Sequence, residues 1–273
     1  MISLVFLTGC GGSGTTILGR LLGRHPRVTY LNDRFDLWVD ALPIADIWGF
    51  SHPDEHGARV ELTADDLDRP GVRDGIDLVR SRLEAQRAGS PVLIEKLAIN
   101  NFRLAFLHSA FPDATFINIT RHGLEVAASI ARQIELGRWY GRNHRKWALL
   151  RDCAGRIGLG ELAESCRTPF EKGLLEWRLS VESAAGFFDR THDARAAHVR
   201  YEHLVDDPTA VAGNLFRFLD LDHDPAAIAW AGDNIARRSP AWHAIDDAPA
   251  ERIAGCALRR LGYSVAAHAG SQP

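Results

Sequence analysis

The fold is decided by residues 2–16, which read ISLVFLTGCGGSGTT. Residues 2–8 form a short apolar run that ends at a glycine, as is typical of a buried strand in a parallel sheet. Four glycines within six positions then allow a sharp turn and let the backbone approach a ligand closely. Residues 17–22 continue with helical spacing. The segment therefore predicts a strand, a glycine-rich loop and a helix.

The loop is suited to binding a phosphate group. The backbone amides of residues 13–16 would lie at the N-terminus of the helix, where the helix dipole favours an anion. Ser13, Thr15 and Thr16 add hydroxyl donors. The alternative is an ordinary glycine-rich turn that binds nothing, but the combination of strand, hydroxyls and helix favours a phosphate site.

The loop departs from the nucleotide-triphosphatase pattern G-x-x-x-x-G-K-[ST] at one position. Gly9, Gly14 and Thr16 fit the pattern, whereas Thr15 stands where a lysine would contact the β- and γ-phosphates. The missing lysine argues against ordinary hydrolysis of ATP or GTP.

Composition indicates a globular protein in a reducing compartment. The 273 residues are 46% hydrophobic and 25% charged, which fits one large domain or one domain with a lid. A net charge of −3 gives no reason to expect binding to nucleic acid or to a membrane surface. The four cysteines are widely spaced and form no metal-binding pattern. No signal peptide or membrane-spanning run is visible, so we expect a cytoplasmic protein.

Strands and helices alternate along the chain. Further buried strands are predicted at 28–31, 91–96, 115–120 and 197–201, and helices at 75–88, 102–111, 124–136, 170–188 and 210–219. This alternation predicts an α/β fold with three layers, in which helices flank a central parallel sheet.

Polar residues follow several of the predicted strands. Asp33 and Asp36 come after the second strand, Lys96 ends the third, and Arg121 follows the fourth. Ligands bind at the carboxyl ends of strands in such sheets. An arginine at this edge offers a fork of donors to a phosphate, and Ser129 can add a hydroxyl about two helical turns later.

Three motifs resemble sulfotransferases that use 3′-phosphoadenosine 5′-phosphosulfate (PAPS). They are Ser13-Gly14-Thr15-Thr16, the phrase Phe111-Pro112-Asp113-Ala114 before a strand that ends at Arg121, and Tyr201-Glu202-His203-Leu204. The resemblance spans residues 2 to about 263 and implies a P-loop-like fold and a single domain over 1–273. It also implies that segments 35–75 and 137–170 form the acceptor pocket or its lid. The sequence departs from the family at Gly12, where a basic residue is usual.

The resemblance assigns the donor site residue by residue. The 5′-phosphosulfate would be bound by the loop, Gly11, Gly12, Ser13, Gly14, Thr15 and Thr16. The 3′-phosphate would be bound by Arg121, Ser129 and a basic loop that contains Arg237, Arg238 and Ser239. Tyr201 would lie near the adenine. The product would be adenosine 3′,5′-bisphosphate (PAP), and no metal ion is expected.

For catalysis we predict Asp33 as the base that activates the acceptor, with Asp36 as second choice; a helix cap or a surface aspartate is the alternative. Because Gly12 lacks the usual cation, Lys96 is predicted to face the transferred sulfonate, unless it only reaches solvent from the strand end. The acceptor would offer a hydroxyl, or as the second choice an amine, on a small molecule or glycan. A phosphotransferase or nucleotide kinase, and an inactive nucleotide-binding protein, remain the alternatives.

Residues 137–160 are basic and aromatic. The overall acidic balance argues against an RNA-binding patch here. The segment is predicted to be either a wall or lid of the acceptor pocket or a solvated helical hairpin.

Overall fold

The computed structural model describes residues 3–52, 57–236 and 247–265. Its centre is a sheet of five parallel strands in the order β2-β3-β1-β4-β5. The strands are β1 (Ser3–Thr8), β2 (Val28–Asn32), β3 (Val92–Lys96), β4 (Thr115–Thr120) and β5 (Ala196–Arg200). The predicted α/β fold with a central parallel sheet is confirmed.

Helices cover both faces of the sheet. One layer contains α1 (Thr15–Leu22), α8 (Tyr201–Asp206), α9 (Pro208–Phe218) and α10 (Pro225–Asn234). The other contains α2 (Val72–Ala85), α3 (Leu104–Ala110), α4 (Gly123–Glu135), α5 (Arg145–Arg156), α6 (Gly160–Ser165), α7 (Pro169–Arg190) and α11 (Asp247–Arg260). Because successive side chains of a strand point to opposite faces, Val5 and Leu7 pack in the first layer and Phe6 packs in the second.

Short 3-10 helices fill the segment between β2 and α2. They are Phe35–Leu37, Pro43–Ala45 and Ala64–Asp68. Helix α2 begins three residues earlier than predicted, directly after Gly71, whose φ of 76° suits glycine.

Two further elements differ from the sequence prediction. Tyr201 does not end the last strand but begins α8. Residues 145–165 form α5 and α6, and α5 is not a solvated helix, because Trp147, Leu150 and Ala154 are buried at helical spacing against the core. Within the described ranges, no helix is long and apolar enough to span a membrane.

The carboxyl ends of all five strands lie at one edge of the sheet, and each leads directly to a predicted site residue. The glycine-rich loop that contains Gly11 and Gly12 follows β1, Asp33 follows β2, Lys96 ends β3, Arg121 follows β4 and Tyr201 follows β5. Strand β1 is central, so its loop separates the residues after β2 and β3 from those after β4 and β5. The strand order thus divides the site into two halves.

Candidate active site

The loop after β1 exposes backbone donors at the start of α1. Gly12 and Gly14 have φ values of 89° and 98°, a conformation that side chains disfavour. Helix α1 begins at Thr15 and has no side-chain cap at Gly14. The first amides of a helix have no partner within it, and here they are available to an anion.

Three side chains lie directly on the loop glycines. A Cβ atom at Gly11 would lie 2.2 Å from the Trp139 ring, and one at Gly14 would lie 2.5 Å from the Tyr201 ring. A Cβ at Gly12 would lie 3.2 Å from the Ser129 Oγ. The structure thus brings the predicted residues Ser129 and Tyr201 to the loop, together with Trp139.

A cavity of about 500 Å³ lies on the β4 and β5 side of the loop. Its lining includes seven predicted residues, namely Gly12, Gly14, Thr15, Thr16, Arg121, Ser129 and Tyr201. Arg20, Arg132 and Glu125 line it as well and were not predicted. Arg20 lies four residues after Thr16 and Arg132 three after Ser129, so helical spacing could have indicated both.

Arg121 connects three parts of this cavity. Its Nη1 donates to the Gly12 carbonyl oxygen at 3.1 Å, and its guanidinium lies 4.1 Å from the centre of the Tyr201 ring. Its Nε donates to Glu125 at 2.6 Å. A guanidinium carries five N–H groups, so these contacts orient Arg121 and leave donors for a phosphate.

The segment around Tyr201 is held by residues 261–263, which follow α11, and by the backbone of His122. Glu202 accepts hydrogen bonds from the His122 amide at 2.9 Å and from the Tyr263 hydroxyl at 3.0 Å. Arg200 lies over the Tyr263 ring and donates to the Leu261 carbonyl. These contacts fix α8 against the strand ends and hold Tyr201 over Gly14.

A second cavity, of about 260 Å³, lies on the β2 and β3 side of the loop. It shares Gly12, Thr15 and Thr16 with the larger cavity. Its remaining lining consists of aromatic and charged residues, namely Asp33, Phe35, Trp48, Phe50, Lys96, Arg138, Trp139 and Lys146, with Gly11 and Ala98. The loop therefore forms a wall common to both cavities.

Asp33 and Lys96 form an ion pair in the smaller cavity. The Lys96 Nζ donates to both carboxylate oxygens of Asp33, at 3.0 and 2.9 Å. The Lys96 side chain is only 5% exposed, whereas that of Asp33 is 35% exposed. The structure thus brings the predicted base and the predicted cation together, with Asp33 open to the cavity.

Asp36, the second choice for the base, does not line either cavity. Its carboxylate is exposed and is bound by the guanidinium of Arg34, with an Nη2 to Oδ2 distance of 2.7 Å. This hydrogen bond lowers the pKa of Asp36 below its usual value. The geometry favours Asp33 over Asp36.

A buried ion pair lies beneath the loop. The Lys146 Nζ is 2.5 Å from Glu176 Oε1, and Trp139 Nε1 donates to Glu176 Oε2 at 2.8 Å. The ammonium also lies 4.3 Å from the centre of the Trp139 ring. From the sequence, residues 137–160, which include Trp139 and Lys146, were recognised only as basic and aromatic.

Burial raises the pKa of the nearby Cys10 thiol, and the negative charge of Glu176 raises it further, so Cys10 stays protonated.

Glu95, next to Lys96, is fully buried. Its Oε2 accepts a hydrogen bond from Asn100 Nδ2 at 2.7 Å. Burial raises the pKa of Glu95 to about 8, so it is mainly protonated at neutral pH.

One predicted residue of the loop, Ser13, lines neither cavity. Ser13 is fully buried, and its Oγ has no hydrogen-bond partner in the part of the chain that is described. Arg237, Arg238 and Ser239 lie outside the described residues. Among residues 3–52, 57–236 and 247–265, no group of three histidine, cysteine or acidic side chains could hold a metal ion.

Most of the chain matches the model of one protein family. A model described as the sulfotransferase family matches residues 5–225. A search of curated proteins finds no match.

Solved sulfotransferase structures share the fold. The sulfotransferase domain from the curacin biosynthetic pathway is 17% identical, with a TM-score of 0.55, over 97% of this chain and 99% of that one. Sulfotransferase STF9 from Mycobacterium avium is 16% identical, with a TM-score of 0.57, over 96% of this chain and 78% of that one. The sulfotransferase domain from the Synechococcus PCC 7002 olefin synthase is 18% identical, with a TM-score of 0.50, over 100% of this chain and 92% of that one.

Proposed function

The chain belongs to the sulfotransferase family, and we propose that it transfers the sulfuryl group of PAPS to a hydroxyl of a small-molecule or glycan acceptor. The observation that carries this proposal is the pair of cavities that meet at Gly12, Thr15 and Thr16. A transferase needs its donor and acceptor on opposite sides of one reacting centre, and these cavities meet along one short segment of loop.

The larger cavity fits a nucleotide that carries two separate phosphates. Arg20, Arg121 and Arg132 line it, and among the described residues Glu125 is the one acidic side chain in its lining, so its charge favours an anion. The amides of Gly12 and residues 14–16 and the hydroxyls of Thr15 and Thr16 would bind the 5′-phosphosulfate, and Arg121 with Ser129 would bind the 3′-phosphate. Tyr201 would stack on the adenine, since its ring lies at the cavity wall beside the Arg121 guanidinium.

The smaller cavity fits the acceptor. In the proposed reaction, the acceptor oxygen attacks the sulfur while the bond from sulfur to the bridging phosphate oxygen breaks. The electrons of that bond go to the phosphate oxygen, and the acceptor proton goes to the Asp33 carboxylate. Lys96 orients Asp33 through its two hydrogen bonds. It also places a positive charge beside the reacting oxygen, where negative charge develops. Lysine, arginine and backbone amides stabilise the negative charge that develops during the transfer.

Calorimetric titration with PAP, 5′-AMP and ATP tests the donor site. We expect PAP to bind more tightly than 5′-AMP and ATP, because only PAP carries the 3′-phosphate. Arg121→Ala should weaken PAP binding by about tenfold to a hundredfold, as expected for the loss of a charge-assisted hydrogen bond.

Arg195→Ala is the matched control. Arg195 also lies over an aromatic ring, that of Phe218, and also pairs with a carboxylate, that of Asp220, but it lines neither cavity. Its PAP affinity should equal that of the wild type. Tighter binding of ATP than of PAP, or the same affinity in Arg121→Ala as in the wild type, would contradict the proposed donor.

A further inference from the structure

The donor loop lacks a basic side chain, and the structure explains why none fits there. Gly12 has a φ of 89°, which disfavours any residue with a Cβ. A Cβ would also lie 3.2 Å from both Cβ and Oγ of Ser129. A cation that contacts the transferred group must therefore come from another part of the chain.

Lys96 is committed to a different contact. Its Nζ uses two hydrogen bonds to hold Asp33, and the side chain is almost fully buried. This geometry suits the orientation of a base. A second positive group, on the acceptor side of the loop, is therefore needed to contact the transferred group.

The distribution of lysines points to Lys146. Only three of the 32 lysines and arginines in the chain are lysines. Two of the three, Lys96 and Lys146, are buried, and both line the smaller cavity. The ammonium is a compact charge on a flexible stem, whereas the guanidinium is a broad planar fork. A lysine therefore suits a narrow cavity that must admit an acceptor.

Lys146 is held close to the loop through Trp139. The Trp139 ring packs on Gly11, and the Lys146 Nζ lies 4.3 Å from the centre of that ring. Glu176 holds both side chains. Its Oε1 lies 2.5 Å from Lys146 Nζ, and its Oε2 accepts a hydrogen bond from Trp139 Nε1 at 2.8 Å. Residue Lys146 is 4% exposed and Glu176 is 2% exposed.

This arrangement is poorly explained by stability alone. Burying two charges costs solvation energy that their attraction often fails to recover, and apolar side chains in the same space stabilise a fold equally well or better. An ammonium also has three N–H donors. Glu176 is the one hydrogen-bond acceptor that the Lys146 Nζ contacts within the described ranges, so donors remain for a ligand oxygen.

We propose that Lys146 contacts the sulfonate of the bound donor and replaces the basic side chain that is absent at Gly12. Glu176 is then a positioning residue that holds Lys146 and Trp139 against the loop. This inference rests on the proposed function, because it assumes that PAPS is the donor.

Binding of PAPS and PAP, measured without acceptor, tests this role. The two ligands differ in the sulfonate alone, so their affinity ratio reports contacts to that group. The variant is Lys146→Met combined with Glu176→Gln, which removes both buried charges and keeps an oxygen for Trp139 Nε1. We expect PAPS affinity to fall by about tenfold or more and PAP affinity to stay within about threefold.

Lys172→Met is the control, because Lys172 also lies near a tryptophan ring, 5.3 Å from that of Trp147, and lines neither cavity. It should leave both affinities unchanged. If the double variant fails to fold, Lys146→Gln alone is the second variant, since its amide still offers an N–H to Glu176, and the same change in the ratio is expected.

The outcomes separate this inference from the one on which it rests. An unchanged ratio of PAPS to PAP affinity in a variant that still binds PAP would overturn the role of Lys146 and leave the donor site intact. An equal loss of affinity for PAPS and PAP would show that the ion pair supports the fold of the loop, and it would also overturn the role of Lys146. Failure of the wild-type protein to bind either ligand would reject the proposed donor itself.

Discussion

The Lys96 ammonium contacts both carboxylate oxygens of Asp33, at 3.0 and 2.9 Å, across the ends of two neighbouring strands. The register of the sheet sets this contact, because β2 and β3 pair Asn32 with Lys96 and Asp33 is the next residue. The Asp33 amide also donates to the Lys96 carbonyl at 3.0 Å. Backbone and side chains together hold the proposed base in the lining of the smaller cavity.

Asp33→Asn should abolish most of the activity and preserve donor binding. The amide retains the shape of the carboxylate but cannot accept the acceptor proton, so turnover should fall by about 10² to 10⁴. The measurement is the release of PAP from PAPS in the presence of a panel of phenols, alcohols and monosaccharides. PAP affinity, measured by calorimetry, should stay within about threefold.

Asp36→Asn is the control for this prediction, since Asp36 is three residues away, exposed and bound to Arg34. It should keep turnover within about threefold of the wild type. Loss of activity in Asp36→Asn with full activity in Asp33→Asn would reverse the assignment.

Lys96→Ala should reduce turnover as severely as the loss of the Asp33 base does. It removes the group that orients Asp33 and the positive charge beside the reacting oxygen, so we expect turnover to fall by at least about a hundredfold. Lys172→Ala, outside both cavities, should change nothing. Turnover of Lys96→Ala within threefold of the wild type, in the same PAP release assay, would refute the role of Lys96.

The sequence predicted the strand ends well, because short apolar runs followed by glycine or charged residues are local signals. Lys96 and Arg121 were found in this way. The strand order is not a local property, so the division into two cavities around β1 could not be predicted. Lys146 was missed as a site residue for a similar reason. Its partner, Glu176, is 30 residues away, and only the packing of the folded chain brings the two together.

Tyr201→Ala should weaken PAP binding by about fivefold to a hundredfold, because stacking of a base on an aromatic ring contributes about 1–3 kcal/mol. Tyr201→Phe keeps the ring and should bind PAP as the wild type does. Tyr30→Ala is the control, since the Tyr30 ring lies on Gly19 as Tyr201 lies on Gly14, but away from both cavities. Calorimetry on the three variants makes the comparison, and equal PAP affinity in Tyr201→Ala and wild type would place the adenine elsewhere.

Gly12→Ala should damage the donor site through both backbone strain and contact. The left-handed conformation costs a residue with a Cβ about 1–2 kcal/mol, and the new methyl group would press on Ser129. Gly89→Ala isolates the first effect, because Gly89 has a φ of 82° and no atom within 4 Å of a new Cβ. Urea denaturation should show both variants destabilised, with PAP affinity reduced only in Gly12→Ala. Unchanged PAP affinity in Gly12→Ala would mean that the ligand does not depend on this part of the loop.

The stability of the protein should depend on pH through Glu95. Burial raises the pKa of Glu95 to about 8, whereas in the unfolded chain it is about 4.3. Between these values the folded state keeps the proton and the unfolded state releases it. The contribution of Glu95 to the free energy of unfolding is therefore fully present at low pH and falls as pH rises, by up to about 1.4 kcal/mol per pH unit.

Glu95→Gln should remove this dependence, because glutamine stays neutral and its oxygen can still accept the hydrogen bond from Asn100. Urea denaturation should give similar free energies of unfolding for variant and wild type near pH 5 and a variant that is more stable by about 2–4 kcal/mol at pH 8. Glu135→Gln, at an exposed position of α4, should follow the wild type at every pH. Parallel curves for Glu95→Gln and wild type would mean that Glu95 is already ionised in the folded protein. Lys96 would then lie beside a second negative charge, and its pairing with Asp33 alone could not describe the electrostatics of the acceptor cavity.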